Sequence, residues 1–517
     1  MRKYKVEILL LLGGLVILTI LFILQSQYLW HSSLINIIGV PLDDVYIHCR
    51  YAENLLHGNG YCFNPGLTVT ADTSPLWVIL IAFGGLFTSH LDFVAVLFSA
   101  LAWLAIAPGV YRFAKNGCGF EEVWAVTAGI LALLSSRLLA ASLSGMETTL
   151  ATLLTLIVIE IHIRSREAGK IRLREAVILG IAIATRPELY LLLVLCTMDW
   201  VYLATVGRVF NPTISLNERV KNPFYYGLIG FFFVIALFIG AVLSLPYLER
   251  GSFMYHSSIV QGAGIRLIPD LHYIGKSFLI LLENYWWFVL LTIATILKLT
   301  LPKLKSRYAV MVLFVILLPI VQGFIAPQYR HFGRYIFPLL PLVALGITAY
   351  LRKNITFGRI KYLNNRPAVI AIISVALMLP LAVRWAMQYS DCVSNIMDQH
   401  VTSAGWVMSH AGSNDIIAAD DVGALGYLTK RSIIDLTGLV SPEMYPLQHD
   451  QRLVWKAARD KGANIFIIYK RLNPSFFKYA KDSLDLVKDL RISQPLSSSA
   501  DTVLSIYRLK GVAYAAP

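Results

Sequence analysis

VPLDDVYIHCRYAENLLHGNGYCFNPGLTVTADTSPLW, residues 40–77, is a polar stretch between apolar runs, and the reading of the whole chain turns on it. It opens on adjacent carboxylates, Asp43 and Asp44. Tyr46, His48, Arg50 and Tyr51 follow at spacings that put several of them on one face of a short helix. Gly58-Asn59-Gly60 and Phe63-Asn64-Pro65-Gly66 then reverse the chain before Pro75-Leu76-Trp77. Acidic, aromatic and basic groups pressed onto a membrane suit a transferase that deprotonates a hydroxyl beside an anionic lipid. A solvated loop whose aspartates cap a helix uses the same residues, and activity separates the two readings.

Outward from this loop the chain is apolar. Of 517 residues 57% are hydrophobic and 15% charged, with a mean hydropathy of +0.63, which excludes a soluble globule as the main body. Runs of spanning or near-spanning length fall at 8–25, 92–113, 122–137, 147–163, 173–206, 226–247, 284–300, 308–325, 335–351 and 367–385. The basic connections can all lie on one side only if 75–87 does not cross and 173–206, broken at Arg186-Pro187, crosses twice. The expectation is eleven transmembrane helices, with the N-terminus inside and residues 26–91 and 386–517 outside. Segment 75–87 then lies along the outer surface with Trp77 at the interface. The first run has Arg2, Lys3 and Lys5 before it and no small-residue cleavage site after it, and reads as a retained anchor.

The net charge of +14 is accounted for by this topology. Of 45 Lys and Arg, 22 fall on the inner side, nine on the outer side and 14 after residue 385, where 13 Asp and Glu balance them. Nucleic acid as a partner loses its support. The five cysteines form no CxxC pair and no metal-like cluster, so no ligand set for a metal is read from them; Cys49 and Cys62 could meet across the first loop, but spacing alone does not fix that geometry.

Beyond about residue 390 the apolar runs shorten to strand length at 415–420, 432–435 and 463–469, with helix-like stretches between them. This reads as a small extracytoplasmic α/β domain, residues 389–517, with a mostly parallel sheet, following a membrane domain of residues 1–388. Asp420-Asp421-Val422-Gly423 and Asp435-Leu436-Thr437-Gly438 end two of its strands, where α/β folds place ligands and where turns also favour Asp and Gly. There is no phosphate loop, dinucleotide fingerprint or internal repeat.

DDVYIHCRYAENLLHGNGYCFNPG, then TSPLW, SGMET and TRPE, in this order and spacing over roughly the first 190 residues, resemble the membrane arabinofuranosyltransferase group of the GT-C glycosyltransferases. The resemblance implies an inverting enzyme that moves a sugar from a polyprenyl-phosphate donor to an envelope glycan, lipid or protein acceptor on the outer face of a membrane, expected to be the bacterial inner membrane. His48-Cys49 and Tyr61-Cys62 depart from the pattern of that group, so the sugar stays open.

With this topology several polar groups converge on the outer side. One of Asp43 and Asp44 is the expected general base, Asp44 slightly favoured, and the other orients the acceptor, holds a sugar hydroxyl or binds a divalent cation. Arg186, Arg330 and Arg334 are expected to hold the phosphate, with His331, Glu147, Glu188, Tyr46 and Arg50 completing the donor site. Each has a structural reading as well: Glu147 favours a helix N-terminus, Arg186 and Glu188 pair at a proline break, and Arg330, His331 and Arg334 snorkel to headgroups. The connection 249–275, with His256, Gly262 and Gly264, has the composition of a lid. A transporter or flippase of lipid-linked glycans is the alternative function, disfavoured by the outer loop, the outer tail and the lack of repeated halves.

Overall fold

Helices with apolar side chains on every face end up in a core or in lipid, and both destinations occur here. A computed structural model describes residues 4–29, 38–205, 223–250, 254–260, 262–286, 306–327, 331–354, 367–471, 473–496 and 499–511. Among these residues seven helices are long and apolar enough to cross a membrane, and three shorter apolar helices accompany them at Pro75–Gly85, Glu122–Leu133 and Ala309–Ile325. The chain is a polytopic helical membrane protein. Most of the expected span at 284–300 lies outside the described residues.

The helices up to residue 205 are α1 (Lys5–Leu29), α2 (Asp44–Leu56), α3 (Pro75–Gly85), α4 (Leu91–Arg112), α5 (Glu122–Leu133), α6 (Ser136–Ala141), α7 (Thr148–Glu167), α8 (Leu173–Thr185) and α9 (Tyr190–Thr205). α4 is central, packed against α1, α5 and α7. α1 shows Leu9, Leu15, Val16, Ile20 and Ile23 on its outer surface, and the helix Pro223–Arg250 shows Ile229, Phe233 and Leu237, an apolar surface of the kind lipid covers. The polar loop is itself folded. α2 lies across α3 and α4, and Gly58 and Gly60, both at positive φ, make the reversal that follows it. α3 is the short helix expected near 75–87. Cys49 and Cys62 are both free thiols, so the loop carries no cross-link.

The helix Pro367–Asn395 runs past residue 388, where the composition changes, without a break. A domain edge at 388/389 therefore falls inside a helix, which carries on into Thr402–His410 after an irregular turn. Among the described residues the C-terminal unit has five strands, β1 (Ile417–Ala419), β2 (Ile433–Asp435), β3 (Ile465–Ile468), β4 (Leu484–Arg491) and β5 (Val503–Leu509), in the order β2-β1-β3-β5-β4. The three expected strands are β1, β2 and β3, and they pair in parallel. β5 adds antiparallel to β3 and to β4, so the sheet is mixed rather than mostly parallel.

Candidate active site

Five short stretches that are distant in sequence meet at one point. Gly145, at φ 72°, turns the chain into α7, and Trp77 Nε1 donates to its carbonyl (3.1 Å). That turn points Glu147 at α2, where its Oε2 lies 3.4 Å from His48 Nε2. The other ring nitrogen of His48 contacts Asp72, whose second oxygen accepts from Ser74 N (2.6 Å). Arg186, extended at φ −154°, ψ 137° because a proline follows it, reaches Glu147 with Nη1 and Glu188 with Nε. The Tyr335 ring lies under its guanidinium at 4.9 Å. His48, Asp72, Glu147 and Arg186 are all buried. Burial would depress the His48 pKa, but Asp72 and then Glu147 lift it to about 10, so the ring is an imidazolium at neutral pH.

Asp44 stands at the edge of this network. Its Oδ2 accepts from Arg334 Nη2 (3.1 Å) and lies 3.3 Å from His331 Nε2, while its side chain keeps 33% exposure. Burial pushes its carboxyl up, but His331, Arg334 and His48 outweigh that and hold it well below the usual carboxylate range. His331 and Phe332 have φ of 46° and 62°, in the left-handed region that costs non-glycine residues energy; this turn brings His331 and Arg334 to Asp44. Nε and Nη1 of Arg334 are buried with no hydrogen-bond partner among the described residues. Arg334 also lines a cleft of about 390 Å³. Its polar lining includes Arg186, Glu188, Gln322 and Tyr335, and its apolar lining, from α9 and the helix Ala309–Ile325, includes Leu191, Val194, Leu318, Val321 and Ile325.

Other candidates lie elsewhere or outside the description. Asp43 faces the C-terminal unit: its two oxygens accept from Gly423 N (2.7 Å) and Ala424 N (2.9 Å), and His400 Nδ1 lies 3.1 Å from Oδ1. Tyr46 stacks on Tyr427 at 5.9 Å. Arg50 donates to Phe63 O (3.3 Å), Glu53 Oε2 (2.8 Å) and Lys430 O (3.2 Å). The expected single face of α2 is thus two faces, and Asp43, Tyr46 and Arg50 sit on the one turned away from Arg334. Arg330 lies outside the described residues. In the sequence His48 stands among the residues expected on one face of a helix and as a departure from the family pattern, without a site role of its own, and nothing in Ala71-Asp72-Thr73-Ser74-Pro75 signals a histidine partner. Of the two carboxylates expected to share the base and cation roles, Asp43 is held by Gly423 N, Ala424 N and His400, and Asp44 by Arg334 and His331. Asp435 holds a turn, accepting from Thr437 N (2.8 Å) and Val440 N (2.8 Å), so turn chemistry accounts for it. In the expected lid, His256 Nε2 lies 2.7 Å from Gly438 O and His256 N donates to Thr70 Oγ1 (3.1 Å); this part is fastened to the loop and the C-terminal unit.

Residues 394–507 match a family described as a domain of unknown function (DUF8728). No curated protein matches the chain by sequence. Among solved structures, the crystal structure of ArnT from Cupriavidus metallidurans in the apo state is similar over 95% of this chain and 97% of that one, with a TM-score of 0.56 at 10% identity. The same protein bound to undecaprenyl phosphate aligns over 96% and 98%, with the same score and identity. The cryo-EM structure of the arabinofuranosyltransferase AftD from mycobacteria aligns over 95% of this chain and 40% of that one, with a TM-score of 0.45 at 14% identity. The fold is that of ArnT.

Proposed function

We propose that the protein is an inverting glycosyltransferase that uses a polyprenyl-phosphate sugar as donor and a hydroxyl acceptor on the outer face of a bacterial inner membrane. In this reading it has eleven transmembrane helices, with the site and the C-terminal unit extracytoplasmic. The observation that carries the reading is Arg334. It lies where an apolar cleft meets a carboxylate, and two of its N–H groups have no partner among the described residues. A phosphate ester with a long hydrocarbon chain has the chemistry to satisfy both, its oxygens taking the guanidinium and its chain the α9 side of the cleft. ArnT binding undecaprenyl phosphate on the same fold supports a ligand of this class.

Asp44 is the base. It takes the acceptor proton while the acceptor oxygen bonds to the anomeric carbon from the face opposite the phosphate. The glycosidic C–O bond breaks, and the electron pair leaves on the phosphate. Arg334 meets the charge that grows there. A phosphate that draws Arg334 and His331 from Asp44 also removes what holds the carboxyl low, so the base strengthens when the donor is in place. Glu147, Arg186 and His48 act as a scaffold that fixes the start of α7 against α2. The test is purified protein with a polyprenyl-phosphate sugar and acceptor. Sugar transfer with release of polyprenyl phosphate is expected, and Arg334→Ala should lose roughly one to two decades in kcat/KM, the worth of a charge-assisted contact. Lipid movement without bond cleavage would replace the enzyme by a transporter.

A further inference from the structure

A second buried cluster lies far from this site. His162 is fifteen residues beyond Glu147 along α7, about 22 Å at the helical rise, and there α7, α8 and α9 bring His162, Glu175 and Cys196 together. Each offers a ligand atom, all within 4.8 Å of one another, and all three side chains are buried. His162 Nδ1 is 2.7 Å from Glu175 Oε1. Its Nε2 is 3.1 Å from Asp199 Oδ2, and the same Asp199 oxygen pairs with Arg166 Nε at 3.0 Å. Trp200 Nε1 donates to Glu175 Oε1 (2.8 Å). Glu175 Oε2 is buried with no hydrogen-bond partner among the described residues.

From this geometry we infer that His162, Glu175 and Cys196 form a zinc site that ties α7, α8 and α9 together. One imidazole, one thiolate and one carboxylate suit Zn²⁺, which accepts nitrogen, sulfur and oxygen donors in a compact tetrahedral shell. The surroundings supply what such a shell needs. Asp199 accepts from the far side of His162, fixing its tautomer with Nδ1 toward the metal, and the Trp200 indole orients Glu175. Charge balances too: Zn²⁺ is offset by the Cys196 thiolate and the Glu175 carboxylate, and Asp199 by Arg166. Binding releases one proton from Cys196 and one from His162 if the ring is charged beforehand. The alternative is a metal-free network of ion pairs in which Cys196 is only a hydrogen-bond partner of His162. This inference does not depend on the transferase reading.

The test is elemental analysis of the full-length protein, purified in detergent without chelator from zinc-supplied cells, followed by titration of stripped protein with Co²⁺. About one zinc per chain is expected, with a thiolate-to-cobalt absorption band that disappears in Cys196→Ser. Asp199→Asn should weaken metal binding by about 10- to 100-fold while leaving the band in place at saturation. Added Zn²⁺ should raise the melting temperature of stripped wild type and not of Cys196→Ser. Wild type that carries no zinc and takes up neither Zn²⁺ nor Co²⁺ would overturn the inference, and so would a Cys196→Ser protein that binds Co²⁺ with an unchanged spectrum.

Discussion

Successive residues on a helix point about 100° apart, and that rotation gives Asp43 and Asp44 different work. Asp44 and His48, four residues apart, face Arg334 and Glu147, whereas Asp43, Tyr46 and Arg50 face the C-terminal unit. Asp44→Asn keeps the shape but cannot take a proton, so turnover should fall by roughly two to four decades with donor affinity little changed. Asp43→Asn should instead weaken hydrogen bonds to a charged group, each worth about 1.5 to 3 kcal/mol, and show as a lower melting temperature with turnover per folded molecule retained. Kinetics and melting curves of both variants decide it, and a dead but fully stable Asp43→Asn would reverse the assignment. His48 adds a pH dependence. Its folded pKa of about 10 lies above its ordinary value near 6.5, so its stabilisation is complete below about 6.5 and is lost as pH rises through about 10. Melting temperatures between pH 6 and 10 should fall more steeply for wild type than for His48→Gln. The residue types of this site were legible in the sequence, because Asp, Glu and Arg beside apolar runs are costly and stand out. Their pairing was not. Helix rotation around α2 depends on what α2 packs against, and that partner, the segment at 423–430, lies some 380 residues away.

At the scale of elements, the loop and the C-terminal unit are bound by polar side chains meeting backbone. Asn64 donates to Ile433 O (2.9 Å) and accepts from Ile433 N (3.0 Å), closing the edge of β2 as a further strand would. Asp43 meets the backbone at Gly423, where a Cβ would run into the Asp43 carbonyl oxygen. Gly423→Ala should therefore loosen the docking of this unit on α2, seen as faster proteolysis between the two and a lower melting temperature; equal resistance in both proteins would mean the contact is not a constraint. Asp420, at the end of β1, is a cost. Burial chiefly, with the charges of Asp421 and Asp435, pushes its pKa up to about 8 against an ordinary 3.8. The folded state then holds a proton the unfolded chain has given up, and stability falls as pH rises from about 4 to 8. Asp420→Asn keeps an oxygen for Tyr469 N (2.8 Å), so its melting temperature should exceed that of wild type at pH 8 and the gap should close toward pH 4. The parallel strands β1, β2 and β3 were legible as short apolar runs. β4 was hidden because a register shift between Leu486 and Lys488 breaks the alternation that marks a strand.

For the whole molecule, apolar length fixes how many times the chain can cross and basic residues fix which way. The structure groups the ends in a matching way. Arg112 lies 3.8 Å from Glu7, Arg352 2.6 Å from Glu121, and Arg307 meets Glu167; all six belong to ends that the basic bias assigns to one side. Asp44, Glu147, Arg186 and Arg334 meet at ends assigned to the other. Such grouping follows from parity alone and does not say which side is outside. The expected orientation rests on charge: the connection from Arg164 to Arg174 carries five Lys and Arg and a single Glu, and moving it across the bilayer would run against both desolvation and the membrane potential. Gly169→Cys and His57→Cys place a thiol at exposed positions on the two sides, with the native cysteines, four of them buried, giving the background. In intact cells an impermeant maleimide should label His57→Cys and not Gly169→Cys, and after the membrane is opened it should label both. Labelling of Gly169→Cys from outside would turn the bundle over. The Asp44 site would then face the inner leaflet, and the acceptor would have to be found there.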